Sequence, residues 1–298
     1  MIIMTILTVD HVQKSFNGRR VLKDISFQID QGEIVGIIGQ NGAGKSTLIK
    51  IINQLLPADQ GKITYFGQAK IDRAQFGVMS QRSMVIPRVT VAEMIQFTQD
   101  YFSQPLAYQE LVSLSGLQAF QKTKVSQLSG GQRQRLSFAL ALTGNPKLIF
   151  LDEPTVGMDV NSRREFWQLV HTLRDQGKSF VITNHYLQEI EDYADRLLIL
   201  HQGLIQFDGT MAQLRAQHRT TTVSFVSDLP AEKLRQLPGI SNLTITGTKI
   251  TFTANDMAPV YRFIDQYHDQ IQGLNISDDS LETLFVQMTG DQKEEHHE

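Results

Sequence analysis

The chain has no cysteine. That excludes disulfides, thiolate metal sites and cysteine nucleophiles outright, and it fits a reducing compartment. It also has no apolar run approaching the ~20 residues that span a bilayer. Its start, MIIMTILTVD, lacks a basic n-region and a small-residue cleavage site, and reads as a first strand rather than a signal peptide. A cytoplasmic protein that cannot cross a membrane by itself is expected. No basic block is present either: 28 Lys and Arg stand against 31 Asp and Glu, for a net charge of -3. The electrostatic footprint of a nucleic-acid surface is therefore missing, and no nucleic-acid partner is expected. HExxH and His pairs at metal spacing are absent, which argues against a transition-metal site. There is no internal repeat and no low-complexity segment.

What is there is a chain of 298 residues, long enough for about two domains and a sizeable core. GEIVGIIG (Glu33 to Gly39) is a short apolar run ending in glycine, as in a buried strand. STLIKIINQLL follows with Leu48, Ile49, Ile52, Leu55 and Leu56 at helical spacing. FGVMSQ (Phe76 to Gln81), KLIFLDE (Lys147 to Glu153) and KSFVITNH (Lys178 to His185) read as further buried strands. TVAE (Thr90 to Glu93) has capping-box spacing and opens a helix through about Tyr101. RLLILHQG and LIQFDG form a closing hairpin. Strands alternating with helices predict an α/β domain with a largely parallel sheet.

Composition shifts near Arg219. The following order, strand TTTVSFVS, helix PAEKLRQL, two strands around Gly247-Thr248, helix APVYRFIDQYHDQ and strand GLNIS, is β-α-β-β-α-β, that of a ferredoxin-like unit. A last helix, SLETLFVQMTG, precedes the charged tail DQKEEHHE, which is expected to be disordered.

Gly39 to Ser46 matches G-x-x-x-x-G-K-[ST] between a strand and a helix, the context a phosphate-binding loop requires. Gly39, Gly42 and Gly44 leave room for N–H groups to converge on phosphate oxygens, and the helix start adds a positive dipole end. Lys45 can reach the β- and γ-phosphates, and the Ser46 hydroxyl can ligate Mg²⁺. Asp152 and Glu153 follow four apolar residues at a strand end. Asp152 suits the Mg²⁺ shell, and Glu153 can polarise a water as general base. The competing reading is a capping Asp-Glu before the turn PTVG. Gly39, Gln81, Asp152 and His185 each come at the carboxyl end of a strand, where open parallel sheets bind ligands. A His at such an end is usually structural. Near a γ-phosphate it can donate to developing negative charge.

QLSGGQRQR (Gln127 to Arg135) raises a separate question. Ser129 can cap a helix starting near Gln132, and Gly130-Gly131 expose N–H groups ahead of it, a second anion nest. Only one nucleotide fits at the Gly39 loop, so a phosphate bound by LSGGQ would belong to another molecule.

GQNGAGKST, Gln81, LSGGQRQR, LIFLDEPTVGMD and TNH occur in the order and spacing of ABC transporter ATPase subunits, and from about Leu7 to Arg215 the chain resembles them. LSGGQ is the most specific of these motifs. The resemblance implies an ABC-type P-loop ATPase domain with a mixed sheet and a helical subdomain. It also implies a head-to-tail dimer, of like or unlike subunits, with two ATPs at the interface. Gly39, Gln40, Asn41, Gly42, Ala43, Gly44, Lys45, Ser46 and Thr47 would hold the phosphates and Phe16 would stack on adenine. Ser46, Gln81 and water, with Asp152 behind, would form the Mg²⁺ shell. Glu153, His185, Gln81 and Lys45 would carry catalysis. Ser129, Gly130, Gly131 and Gln132 would contact the partner's ATP, with Asp159 in the loop linking the sites. Phe16 replaces the commoner Tyr, Met158 the commoner Leu and Asn184 the commoner Ser or Thr. None of these removes a catalytic group.

The domain expectation is an ATP-binding domain at 1–218 with its helical subdomain at about 82–145, an α+β accessory domain at 219–290 and a tail at 291–298. In the family the helical subdomain receives a helix of the membrane subunit. Met84, Val85 and Ile86 suit that contact and equally suit a core. The C-terminal region resembles the extension of ATPases of drug, antibiotic and surface-polymer exporters. The implied function is ATP-driven export through a separate membrane subunit, from the inner face of the cell membrane. The alternatives are an importer ATPase with a C-terminal regulatory domain and a soluble non-transport ABC ATPase.

Overall fold

Runs of four to six residues with nearly every side chain buried form the centre of the first unit. The computed structural model describes residues 4–80, 86–184, 186–218 and 221–290. Gln81, Met84, Val85, His185 and the tail 291–298 lie outside them. The chain divides into two units, Met1–Gly209 and Thr210–Glu298.

In the first, β1 (Thr5–Phe16), β2 (Arg19–Asp30) and β3 (Ile34–Ile38) lead into α1 (Lys45–Ile52). Then come β4 (Gln60–Tyr65), β5 (Phe76–Met79), α2 (Val91–Gln99), α3 (Tyr108–Ser115) and α4 (Gly130–Leu142). The unit ends with β6 (Leu148–Asp152), α5 (Val160–Asp175), β7 (Ser179–Thr183), α6 (Leu187–Tyr193), β8 (Arg196–His201) and β9 (Leu204–Gly209).

The main sheet has the order β5-β6-β7-β3-β8-β9. Its pairings are parallel except for β9, which closes antiparallel on β8 as the expected hairpin. Every residue of β3 and β7 is buried, as helices on both faces of a parallel sheet require. Close approach of one helix sets a residue choice: a Cβ on Gly36 in β3 would meet Ile190 Cγ2 of α6 at 2.5 Å.

A second sheet, β2-β1-β4, is antiparallel and was not foreseen. Its inward residues Ile6, Val9, Leu22 and Ile25 share one core with Leu48, Ile51 and Ile52 of α1 and with Val35, Phe76 and Phe150 of the main sheet. α1 is thereby fixed by apolar contacts to both sheets. The Phe150 ring stacks on Phe76 at 6.2 Å with 12° between planes.

Thr90 and Glu93 form the expected capping box. Glu93 N–H donates to Thr90 Oγ1 at 3.3 Å, and Thr90 N–H to Glu93 Oε2 at 2.8 Å. The helix it opens ends at Gln99 rather than near Tyr101. α4 packs on β5, where a side chain on Gly77 would collide with the Ala141 carbonyl.

The second unit contains α7 (Met211–His218), β10 (Thr221–Val226), α8 (Ala231–Arg235), β11 (Ile240–Thr246), β12 (Lys249–Ala254), α9 (Met257–Gln266), β13 (Gln272–Asp278) and α10 (Leu281–Thr289). Its sheet is antiparallel throughout, in the order β11-β12-β10-β13. Val223, Phe225, Phe252, Val260 and Phe263 form its core. Gly247 turns the β11–β12 hairpin at φ +61°, a left-handed conformation that glycine adopts cheaply. The division corrects the expected boundary after residue 218: α7 goes with the second unit, because it packs against α10 and buries Leu214 fully.

Phe150 is 2% exposed. Phe150→Ala is expected to cost about 3–5 kcal/mol of unfolding free energy through lost transfer energy and an unfilled cavity, measured as a lower urea midpoint.

Candidate functional site

The sheet order makes β5, β6, β7 and β3 neighbours, so the four strand ends singled out in the sequence are consecutive along one edge. Register aligns them closely. Asp152 pairs with Thr183, and Ile37 of β3 pairs with the same Thr183.

From β3 the chain runs through the Gly39–Gly44 loop into α1. Gly42 and Gly44 have φ +82° and +110°, and a side chain on Gly39 would collide with the Leu200 carbonyl. α1 begins at Lys45 with no side-chain cap and no acidic residue in its first turn, which contains Ser46 and Thr47. Its N–H groups and positive dipole end are thus left to an anion. Lys45 Nζ donates to the carbonyls of Gly39 and of Gln40, the latter at 3.0 Å. Burial holds the Lys45 ammonium below the usual lysine value, while the charges of Asp152 and Glu153 pull it back up. The cation and the two carboxylates therefore feel one another across the strand ends.

Asp152 Oδ1 accepts from Thr183 Oγ1. Thr183 is not among the site residues that the sequence pattern predicts. Its available signal was a hydroxyl at the last residue of the strand that precedes Asn184 and His185. Glu153 N–H donates to the Thr183 carbonyl at 2.9 Å. Glu153 itself has φ +50°, a left-handed conformation uncommon for non-glycine residues and concentrated at functional sites.

Phe16 ends β1, 44% exposed, with Lys14 Nζ 5.5 Å from its ring centroid. The β1–β2 hairpin abuts the loop: a Cβ on Gly44 would stand 3.2 Å from the Val21 carbonyl oxygen.

The LSGGQ residues form a separate cluster. Ser129 caps α4, which begins at Gly130 rather than near Gln132. Gln132 N–H donates to Ser129 Oγ at 3.2 Å, and Ser129 N–H to Gln132 Oε1 at 2.9 Å. This capping box draws both glycines into the first turn. Hypothetical Cβ atoms on Gly130 and Gly131 would lie 3.5 Å from the Gly157 carbonyl oxygen, so the cluster rests on the TVGMD loop. Asp159, at the end of that loop, caps α5. It accepts from Ser162 N–H at 3.0 Å and Ser162 Oγ at 2.7 Å, and the Ser162 N–H holds its carboxyl below the usual range. The structure thus groups Gly39–Thr47 with Asp152, Glu153 and Thr183, and Ser129–Gln132 with Gly157–Asp159.

A parallel strand, a glycine loop ending in Gly-Lys-Ser, an uncapped helix start and an acidic strand end two places along the same sheet define a P-loop nucleoside triphosphatase. Comparison with known proteins narrows the class. A family described as ABC transporter matches residues 22–156. The linearmycin resistance ATP-binding protein LnrL of Bacillus subtilis strain 168 is 29% identical over 305 residues, spanning 95% of this chain and 98% of that one. The Nod factor export ATP-binding protein I of Rhizobium johnstonii is 32% identical over 295 residues, spanning 95% of this chain and 94% of that one. Among solved structures, the ATP-binding subunit of an ABC transporter aligns with a TM-score of 0.66 at 27% identity, covering 72% of this chain and 93% of that one. An ATP-binding cassette in a dimeric post-hydrolysis state with ADP and Pi aligns with a TM-score of 0.63 at 26% identity, covering 69% of this chain and 98% of that one. The chain belongs to the ATP-binding subunits of ABC transporters, and is an ATPase of that family.

The left-handed conformation of a non-glycine residue costs about 1–2 kcal/mol. Glu153→Gly is therefore expected to exceed Glu153→Ala in unfolding free energy by about 1 kcal/mol, after glycine's own entropy is counted. Urea titration of the two variants measures the difference.

Proposed function

We propose that this ATPase powers export through a separate membrane-spanning subunit, working as a dimer on the inner face of the cell membrane. One observation supports the export direction: relatives named for resistance and for export align over 95% of this chain, second unit included. Among the described residues no helix is long and apolar enough to cross a membrane. The observation that carries the composite-site reading is the pair of glycine-rich helix starts in one chain, at Gly44 and at Ser129, grouped with different neighbours.

In this reading the exposed Phe16 ring stacks on adenine. The N–H groups of the Gly39–Thr47 loop take the phosphates, and Lys45 exchanges its two loop carbonyls for β- and γ-oxygens. Mg²⁺ fits the donors present. The Ser46 hydroxyl and Asp152 carboxylate are hard oxygen ligands too few to cage an ion, and among the described residues no group of three or more His, Cys, Asp or Glu could hold one. Mg²⁺ keeps waters and phosphate oxygens in its shell, so a sparse protein set suits it. When bound, the ion neutralises charge on the phosphates. Thr183 fixes the orientation of Asp152 through its hydroxyl. Glu153 takes the proton of the attacking water, and its left-handed backbone turns the side chain off the strand direction followed by Asp152. Gln81 completes the Mg²⁺ shell and His185 contacts the γ-phosphate, on the strength of the sequence pattern. Ser129, Gly130, Gly131 and Gln132 close over the ATP held by the other subunit, with Asp159 in the loop between the sites.

Glu153→Gln is expected to slow hydrolysis by about 10²- to 10⁴-fold, the usual worth of a general base, while ATP affinity survives. ATP turnover and nucleotide titration on the same preparation measure both. Hydrolysis near the wild-type rate would remove Glu153 from the role of base.

The shared site is tested by complementation. Lys45→Ala breaks a subunit's own phosphate loop, and Ser129→Arg plugs the cradle it offers its partner. Each homodimer is expected to be nearly inactive. Mixed equally with subunit exchange verified, about half the dimers are hybrids with one intact site, and up to about a quarter of the wild-type rate returns. The Ser129→Arg monomer is expected to keep its ATP affinity. Its loss there would mean that the loop serves ATP in its own chain.

A further inference from the structure

Outside the residues assigned above, one buried carboxylate gathers an unusual set of partners. Glu189 on α6 is 6% exposed. Its Oε2 accepts from Thr155 Oγ1 at 2.7 Å, from Asn184 Nδ2 at 2.7 Å and from Trp167 Nε1 at 3.1 Å. Arg163 Nε lies 3.1 Å from Oε1. That contact is an ion pair by distance, yet its geometry is not that of an aligned hydrogen bond.

These partners come from three separate segments. Thr155 is fully buried, two residues past Glu153 and two before Gly157, on which the LSGGQ turn rests. Trp167 and Arg163 belong to α5, whose N-cap is Asp159. Asn184 immediately precedes residue 185, and its Oδ1 accepts from Tyr186 N–H at 3.0 Å. The Arg163 guanidinium also lies 5.5 Å from the Tyr186 ring centroid. Residues on both sides of position 185 are therefore tied, directly or through Arg163, to one carboxylate. The same carboxylate holds the turn following Glu153 and the helix following Asp159.

A buried charge is costly, and removing one partner of such a set is strongly destabilising. A fold needing only to fill this volume would do as well with an apolar side chain. The ionic group instead supplies directionality, since its three hydrogen bonds fix three segments at defined angles. We infer that Glu189 is a positioning residue of the ATPase site, holding the Glu153 turn and the flanking residues Asn184 and Tyr186 in one geometry and linking both to the loop that ends at Asp159. It touches no nucleotide. It acts through the groups that do, and so rests on the site proposed above.

The test uses the full-length chain and reads kcat and KM for ATP with Mg²⁺, beside ATP affinity and melting temperature. Thr155→Val removes one hydroxyl and keeps the volume, whereas Thr155→Ser keeps the hydroxyl and loses a methyl. Glu189→Gln keeps the shape and removes the charge. Thr155→Val and Glu189→Gln are expected to lower kcat about 10- to 100-fold, the usual cost of losing a group that orients a site residue, with KM and ATP affinity little changed. Thr155→Ser is expected to return most of the rate. A packing role predicts the opposite order, with Val at or above Ser. Unchanged kcat in Thr155→Val overturns the inference whatever happens to the melting temperature, and so does a rise in KM at constant kcat. If Glu189→Gln does not fold, the Val and Ser pair decides alone. Absence of ATP turnover in the wild type would count against the proposed ATPase site itself, and separates that failure from this one.

Discussion

Strands buried on both faces admit few polar side chains, and the site depends on that constraint. β3 is apolar throughout, β7 carries its polar residues Ser179 and Thr183 only at its two ends, and β6 is buried up to Asp152. Parallel pairing then brings their carboxyl ends level, with Ile37, Thr183 and Asp152 in one row. Polar groups that the strand interiors exclude gather together at this edge. The Gly39 loop, the Asp152-Glu153 pair and the Thr183-Asn184 turn are neighbours because the strands that deliver them can stop nowhere else.

Once at that edge, the Gly39 loop, Lys45 and Glu153 are held by backbone, and Asp152 by the short Thr183 side chain. Gly39 and Gly44 press against the Leu200 and Val21 carbonyls, so the loop has little freedom to collapse. Lys45 rests on two carbonyls of that loop, a holding position for a cation whose burial disfavours its charge. Polyphosphate oxygens would satisfy it better than neutral carbonyls can, since charge-assisted hydrogen bonds are the stronger kind. Glu153 sits in a strained backbone conformation held by the Thr183 carbonyl. Rigid support from β7 maintains it.

Much of this was legible in the sequence, and the particular misses have physical causes. Short apolar runs marked β3, β6 and β7 because a strand buried on both faces has one composition. The boxes at Thr90-Glu93 and Ser129-Gln132 could be read locally because a cap joins residues three apart. β2 and β4 escaped because their sequences are mixed in polarity and their strand character comes from pairing with β1, next to β2 in a hairpin but some 50 residues from β4 by the numbering. α7 was assigned to the wrong unit because packing on α10, some 70 residues on by the numbering, leaves no local mark. Glu189 was invisible for a related reason. Within QEIEDY nothing distinguishes it from Glu191 or Asp192. Its inward placement goes with tertiary contacts: Ile190 seats against Gly36, and three hydrogen bonds from distant residues reach Glu189 Oε2.

Trp167 has a consequence of another kind. It is the chain's single tryptophan, fully buried, ring-stacked on Tyr193 at 4.8 Å and hydrogen-bonded through its indole N–H to Glu189. Indole emission responds to hydrogen bonding and to nearby charge. The first unit therefore carries one indole fluorophore, placed where the segments around Thr155, Asn184 and α5 meet. Its emission reads the electrostatics of that junction in the unlabelled protein, with no second indole to obscure it.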